Sequence, residues 1–316
     1  MKKISVLIPC YNEQENVVAI SKAVEKELVE SCPNYDWEIC FIDNCSVDNT
    51  RVLIRQICQR NPKIKAIFNA RNFGQFNSPY YGIMQMTGDC VISMCCDFQD
   101  PVELIPKMVH EWEHGAKIVS CIKTQSDEDK FVRFLRSCYY KMIHKMSDVE
   151  QIEHFTGFGL YDSSFVKVLR ELKDPTPFLR GIVAELGFRR VNLPYRQARR
   201  RAGKTHNNWY TLYDAAMLSF TSYTKVPLRI ASIGGFALSV LFFVVAVVLF
   251  VVKLVNWSAF AGGQASILMA VLLIGAVLMF FLGLLGEYVM AMSQRVMDRP
   301  LVIEEERLNF PDGSGA

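Results

Sequence analysis

Short, nearly continuous apolar runs alternate with amphipathic stretches along the first hundred residues. Ile4–Ile8 (ISVLI), Trp37–Asp43 (WEICFID), Lys65–Phe68 and Cys90–Cys95 read as strands buried on both faces. Between them, Gln14–Val29, Val47–Gln59 and Ser78–Met86 carry apolar residues at helical spacing. Strands alternating with helices predict an α/β, doubly wound sheet. Ligands of such sheets sit beyond the carboxyl ends of the strands, where strand order reverses. The residues that follow each strand are therefore the first place to look for chemistry.

A different pattern appears later. Ile230–Val252 is a run of 23 residues without a charge, and Leu254–Gly286 is another of 33, densest from Ala265 onward. At about 1.5 Å per residue, each dense run matches a hydrocarbon core of roughly 30 Å. The pattern predicts a two-helix transmembrane hairpin at 230–253 and 265–288, with Trp257 at interface level. Lys225, Arg229, Arg295 and Arg299 flank the pair while the loop offers only Lys253. The positive-inside bias then predicts a multi-pass protein of the inner (plasma) membrane with its domain and both termini cytoplasmic. On this reading 1–205 is the cytoplasmic α/β domain, 206–229 forms amphipathic interfacial helices on the lipid bilayer, and 289–316 is a cytoplasmic tail, flexible at its Gly-Ser-Gly-Ala end.

Composition sharpens this division. Hydrophobic residues are 51% of the 316 and charged ones 21%, which excludes a disordered chain. All ten cysteines precede residue 139 and lack paired spacing beyond Cys95-Cys96, so reduced thiols are expected. The opening Met-Lys-Lys-Ile-Ser-Val-Leu-Ile-Pro has too short an apolar run for a signal peptide. A net charge of +3 gives no reason to expect a nucleic-acid partner. Seven Arg and Lys residues lie between Arg189 and Lys204 without an acid; setting them aside leaves 28 basic against 32 acidic residues. The positive balance is thus one strip, placed to meet a lipid-borne phosphate.

Polar residues cluster at three successive strand ends: Pro9-Cys10-Tyr11-Asn12-Glu13, Asp43-Asn44-Cys45-Ser46-Val47-Asp48 and Cys96-Asp97-Phe98-Gln99-Asp100-Pro101. Each alone reads equally well as a turn, and Asp43, Ser46 or Asp48 as a helix N-cap. Three in chain order at matching strand ends read as a nucleotide site. Neither Gly-x-Gly-x-x-Gly nor Gly-x-x-x-x-Gly-Lys-Ser/Thr occurs, so a diphosphate has its charge met by a metal and by basic side chains rather than by a glycine cradle.

These stretches resemble the family 2 glycosyltransferases of GT-A (Rossmann-like) fold, in particular the polyisoprenyl-phosphate branch that includes bactoprenol glucosyltransferases and dolichol-phosphate mannose synthase. The likeness continues through Arg71-Asn72-Phe73-Gly74, Asp97–Pro106, Gly157–Asp162 and Arg200-Arg201-Ala202-Gly203-Lys204-Thr205, and covers nearly the whole chain. It implies that Pro9, Tyr11, Glu13, Asp43, Cys96, Asp97 and Gln99 bind the nucleotide-sugar. Asp97 would hold Mg2+ or Mn2+; Arg200, Arg201 and Lys204 would meet the acceptor phosphate. Asp97, Gln99, Arg200 and Lys204 would form the catalytic set, and the likeness also implies a homo-oligomer. The reaction implied is inverting transfer of a sugar from a nucleotide-sugar, UDP-glucose before a GDP-sugar, to undecaprenyl phosphate.

Two departures stand out. The family's Asp-x-Asp metal motif reads Cys95-Cys96-Asp97 here. A thiolate suits a hard cation poorly, so Cys95 is expected to be a packed strand residue and metal affinity to be weakened. An aspartate proposed as base in some relatives has no counterpart in Glu153-His154-Phe155-Thr156-Gly157; His154 is the nearest titratable candidate. The alternatives are a processive polysaccharide synthase, whose Gln-x-x-Arg-Trp motif does not occur here, and a non-catalytic membrane scaffold.

Overall fold

The computed structural model describes residues 1–125, 152, 154–172, 174–175, 177–198, 200–201, 251, 255, 264–296 and 300–311. The expected strands and helices form, with shifted ends: β1 (Lys3–Cys10), α1 (Val17–Ser31), β2 (Asp36–Asp43), α2 (Thr50–Arg60), β3 (Ile64–Asn69), α3 (Gly74–Gln85) and β4 (Cys90–Ser93). There follow α4 (Ile105–Glu113), β5 (Ile118–Gln125), β6 (Phe155–Asp162), α5 (Ser163–Leu172), α6 (Leu179–Glu185), β7 (Arg190–Arg196), α7 (Gln264–Val296) and β8 (Glu304–Leu308).

The eight strands make one mixed sheet in the order β7-β5-β6-β4-β1-β2-β3-β8. β4, β1, β2 and β3 are parallel neighbours, whereas β6 and β8 join the two sides of that block antiparallel. Side-chain alternation explains the layering. Ile4, Val6 and Ile8 of β1, with Ile39 and Phe41 of β2, pack under α1, α2 and α4. Leu7, Cys40 and Ile42 point the other way, into the core beneath α3, α5 and α6. Both faces are covered, as the unbroken apolar runs require. The α/β, GT-A-like layout is therefore present, and strand order reverses between β1 and β4.

The membrane expectation is corrected. Among the described residues, no helix is long and apolar enough to cross a membrane. This overturns the two-helix hairpin and the inner-membrane placement built on it. The stretch read as a bounded span, 265–288, is part of a single 33-residue helix, α7, which continues past Glu287 and Arg295. An uncharged run in a sequence measures the apolarity of a segment and not its surroundings, and that is where the inference failed. The first expected span, 230–253, and the interfacial helices, 206–229, lie outside the described residues except for Val251.

The chain past α7 forms an element that the sequence reading does not identify. β8 pairs antiparallel with β3, Phe68 opposite Glu306 and Ile67 opposite Arg307, and closes that edge of the sheet.

Candidate functional site

Three loops leave the carboxyl ends of β1, β2 and β4, and each contains one non-glycine residue with left-handed backbone: Asn12 (φ 56°), Cys45 (φ 66°) and Phe98 (φ 61°). Such conformations cost of order 1–3 kcal/mol and persist where the surroundings fix them. Here the fixing is visible. Asn12 donates its N–H to Ser46 Oγ at 2.8 Å and accepts the Val47 N–H at 2.9 Å. The Glu13 N–H reaches Thr50 Oγ1 at 2.8 Å, and the Asn49 N–H reaches Gln14 Oε1 at 3.1 Å. Asp48 accepts from the Gln14 N–H at 3.3 Å as well as from the Thr50 N–H at 3.0 Å, so Ser46 and Asp48 bind the loops together rather than simply capping α2, which begins at Thr50.

The loop after β2 is tied to the next one by Asn44. Its Oδ1 accepts from the Phe73 N–H at 2.9 Å and from Asn69 Nδ2 at 3.1 Å, while its Nδ2 donates to Asn72 Oδ1 at 2.9 Å. Gly74, with φ 89°, starts α3 just beyond. The Arg71-Asn72-Phe73-Gly74 stretch is therefore a turn closed on Asn72 and tied to Asn44.

After β4, the chain turns at Asp97-Phe98-Gln99. Asp97 Oδ1 accepts from the Gln99 N–H at 3.1 Å, and Asp100 Oδ2 accepts from the Cys95 N–H at 2.9 Å. Tyr195 on β7 donates its hydroxyl to Asp100 Oδ1 at 3.1 Å. Burial, with Asp97 nearby, raises the carboxyl of Asp100 above the usual range despite those hydrogen bonds. Cys95 corrects the expectation of a packed strand residue: β4 ends at Ser93, and Cys95 is exposed on the cleft wall.

The loops enclose a cleft of about 650 Å³ at the order reversal between β1 and β4. Pro9, Tyr11, Glu13, Cys96, Asp97, Gln99 and Arg200 all line it. Asp43 stands behind Asn44, fully buried; its Oδ2 accepts from the Ser46 N–H at 3.0 Å and Arg51 Nε at 2.7 Å, and its Oδ1 has no hydrogen-bond partner. Arg201 is exposed, stacks over Phe98 at 5.2 Å and donates its N–H to the Asp97 carbonyl at 3.3 Å. Lys204 lies outside the described residues. Of the wall residues that sequence reasoning missed, Asn44 and Asn72 stood inside quoted motifs, whereas Arg180, on α6, had no signal.

Two acids meet one cation in the cleft. Arg200 Nη2 contacts Glu13 Oε1 and Arg200 Nε lies 3.6 Å from Asp97 Oδ2. Burial raises the Glu13 carboxyl; the Asn16 amide and the Arg200 guanidinium oppose that shift, and Asp97 adds to it. Among the described residues, no three His, Cys, Asp or Glu side chains group to cage a metal. A divalent ion here would have Asp97 as its protein ligand and take its remaining oxygens from diphosphate and water, a set that Mg2+ accepts. Asp97 Oδ2, already turned toward a positive charge, fits that role.

Fold and cleft define an α/β protein whose polar site lies at the order reversal of a doubly wound sheet. The chain belongs to glycosyl transferase family 2, whose description matches residues 5–170, and it is a glycosyltransferase. It is 29% identical over 288 residues to a prophage bactoprenol glucosyl transferase homolog of Escherichia coli (strain K12), covering 91% of this chain and 93% of that one. It is 30% identical to an SfII prophage-derived bactoprenol glucosyl transferase of Shigella flexneri, covering 95% and 97%. Among solved structures, a mannosyltransferase from Pyrobaculum calidifontis in complex with GDP-Man and Mn2+ aligns with a TM-score of 0.49 at 15% identity, over 94% of this chain and 88% of that one.

Proposed function

We propose that this enzyme transfers one sugar, glucose from UDP-glucose in the first instance, to a polyisoprenyl phosphate such as undecaprenyl phosphate. The observation that carries the reading is the convergence of Glu13, Asp97 and Arg200 in a cleft at the β1–β4 reversal. The relatives' names support the acceptor and the sugar.

Asp43 and the loops around Tyr11 and Glu13 bind the base and ribose. Asp97 would hold Mg2+ or Mn2+, which when bound offsets charge on the diphosphate. Arg200 holds the phosphates in line, a geometry that its fork of donors suits. An acceptor phosphate oxygen attacks the anomeric carbon; the bond from that carbon to the diphosphate breaks, and its electron pair leaves with the nucleoside diphosphate, inverting the centre. A phosphate monoester with a second pKa of about 6 is already largely ionised at neutral pH, so the step requires no protein base. Positioning and charge stabilisation supply the rate.

The test is a panel of nucleotide-sugars offered with undecaprenyl phosphate, with lipid-linked product detected by mass. Glucosyl-phosphoundecaprenol formed from UDP-glucose is the expected result, and no transfer from any donor overturns the reading.

A further inference from the structure

The side chains of β8 reach back toward the donor site. Arg51, at the second position of α2, is the intermediary: its Nε donates to Asp43 Oδ2 at 2.7 Å, its Nη2 to the Asn69 carbonyl at 2.6 Å, and its Nη1 to Glu305 Oε2 at 2.8 Å. Each nitrogen of the guanidinium is thus committed, one to each of three strands. Burial by itself works against this charge, but Asp43 and Glu305 outweigh it and keep the guanidinium firmly protonated. Asp43 is 0% exposed and Arg51 17%, whereas Glu305 is 54% exposed. The orientation of a buried carboxylate is therefore connected to a residue 262 positions later in the chain.

Asp43 also has something to be oriented for. Its Oδ1 is buried without a hydrogen-bond partner, an expensive state unless another donor completes it. With Oδ2 held by Arg51 and the Ser46 N–H, Oδ1 is the oxygen of this carboxylate that remains to accept.

We propose that Glu305 of β8, acting through Arg51, is a positioning residue for nucleotide binding: it fixes the Asp43 carboxylate so that Oδ1 receives a donor from the bound nucleoside. This rests on the reading of Asp43 as part of the donor site. Neighbouring Glu306 supplies an internal comparison. It pairs with Arg55 at 2.6 Å, whereas the ion pairs of Arg51 are with Asp43 and Glu305, so Glu306 docks the same strand outside the relay.

The experiment uses the full chain and UDP with Mg2+ as the probe, with affinity measured by calorimetry and KM and kcat for UDP-glucose measured alongside. Wild type is compared with Glu305→Gln, Glu306→Gln, Asp43→Asn and the Asp43→Asn/Glu305→Gln double variant, and melting temperatures are recorded for all. A half-exposed ion pair is a modest lever, so Glu305→Gln is expected to weaken UDP about two- to fivefold and to raise KM with little change in kcat. Glu306→Gln is expected to bind as wild type, and the double variant to be no weaker than Asp43→Asn alone, because both changes act on one carboxylate. Equal losses in Glu305→Gln and Glu306→Gln, full additivity in the double variant, or no loss in Glu305→Gln while Asp43→Asn is weakened would each overturn the relay alone. A wild-type chain that binds no UDP, or an Asp43→Asn variant that binds it normally, would instead overturn the donor-site reading and the relay with it.

Discussion

Asp97 Oδ2 and Arg200 Nε lie 3.6 Å apart, although 103 residues separate them in the chain. Arg200 also contacts Glu13, so one guanidinium holds two acids that would otherwise repel. Replacing Arg200 with Ala leaves those acids facing each other and removes the cation that the proposed mechanism sets against the leaving diphosphate. Loss of one such preorganised contact costs about 10²–10³ in rate, so kcat/KM is expected to fall by at least about a hundredfold. Steady-state kinetics with UDP-glucose check this.

The same substitution has a pH signature. Burial raises Glu13 and Arg200 opposes the rise, so the carboxyl of Arg200→Ala titrates higher still. A folded state that retains protons longer than the unfolded one loses stability as pH rises. The stability gap between wild type and Arg200→Ala is therefore expected to widen as pH increases through the carboxylate range and to shrink in acid, where Glu13 is protonated in both. Urea titrations at several pH values measure it.

Asp97→Asn keeps the shape of the turn, because an amide oxygen still accepts the Gln99 N–H, but removes the charge. Activity is expected to fall about 10²–10³-fold with melting temperature nearly unchanged. Mg2+ titration of the variant should show saturation only at much higher metal. Full activity in this variant would remove Asp97 from its assigned role.

Glu38 gives a stability test far from the chemistry. It is buried and paired with Lys3 and Lys65, each at 2.6 Å, and accepts from Ser5 at 2.6 Å. Burial pushes its carboxyl up, but those three donors together outweigh burial and hold it at about 2, below the ordinary value of 4.5. The lowered value adds stability that is fully present above about 4.5 and is lost as pH falls toward 2, up to about 3 kcal/mol. Glu38→Gln is expected to be less stable at neutral pH by an amount that narrows across that window.

Gly159 on β6 belongs to a stretch whose resemblance drew attention to it for chemistry, yet its role is steric. A Cβ there would meet the Val119 carbonyl oxygen of neighbouring β5 at 2.3 Å. Backbone must move to admit it, so Gly159→Ala is expected to cost about 1–3 kcal/mol. Chemical denaturation measures the loss.

The first half of the fold was legible because β1 to β4 are buried on both faces and so are apolar at nearly every position. β7 was not: only Tyr195 of Arg190–Arg196 is buried, and the run has an arginine at each end and includes Pro194. β8 carried less signal still. Glu-Glu-Glu-Arg-Leu has almost no strand character, and it forms because Arg51, Arg55 and Tyr81 wait at the edge of β3 for its carboxylates. A segment whose structure depends on partners distant in sequence leaves no local pattern. The site divided the same way. Glu13, Asp43 and Asp97 announced themselves at strand ends, whereas Arg51, one position inside an amphipathic helix, carried no local signal. The membrane expectation failed for the opposite reason, a strong local pattern read as if it fixed its surroundings.

The place of β8 at the outer edge of β3 has a consequence in time. A ribosome emits the chain at about 5–20 residues per second, so roughly 12–50 s pass between the emergence of β3 and that of its edge partner. During that interval the edge of β3 is an open template for another strand, and Arg51 lacks the acid that completes its grip. The strands of β1 to β4 are available early, but the Arg51 contacts that reach into the cleft wall are complete only after β8 has emerged.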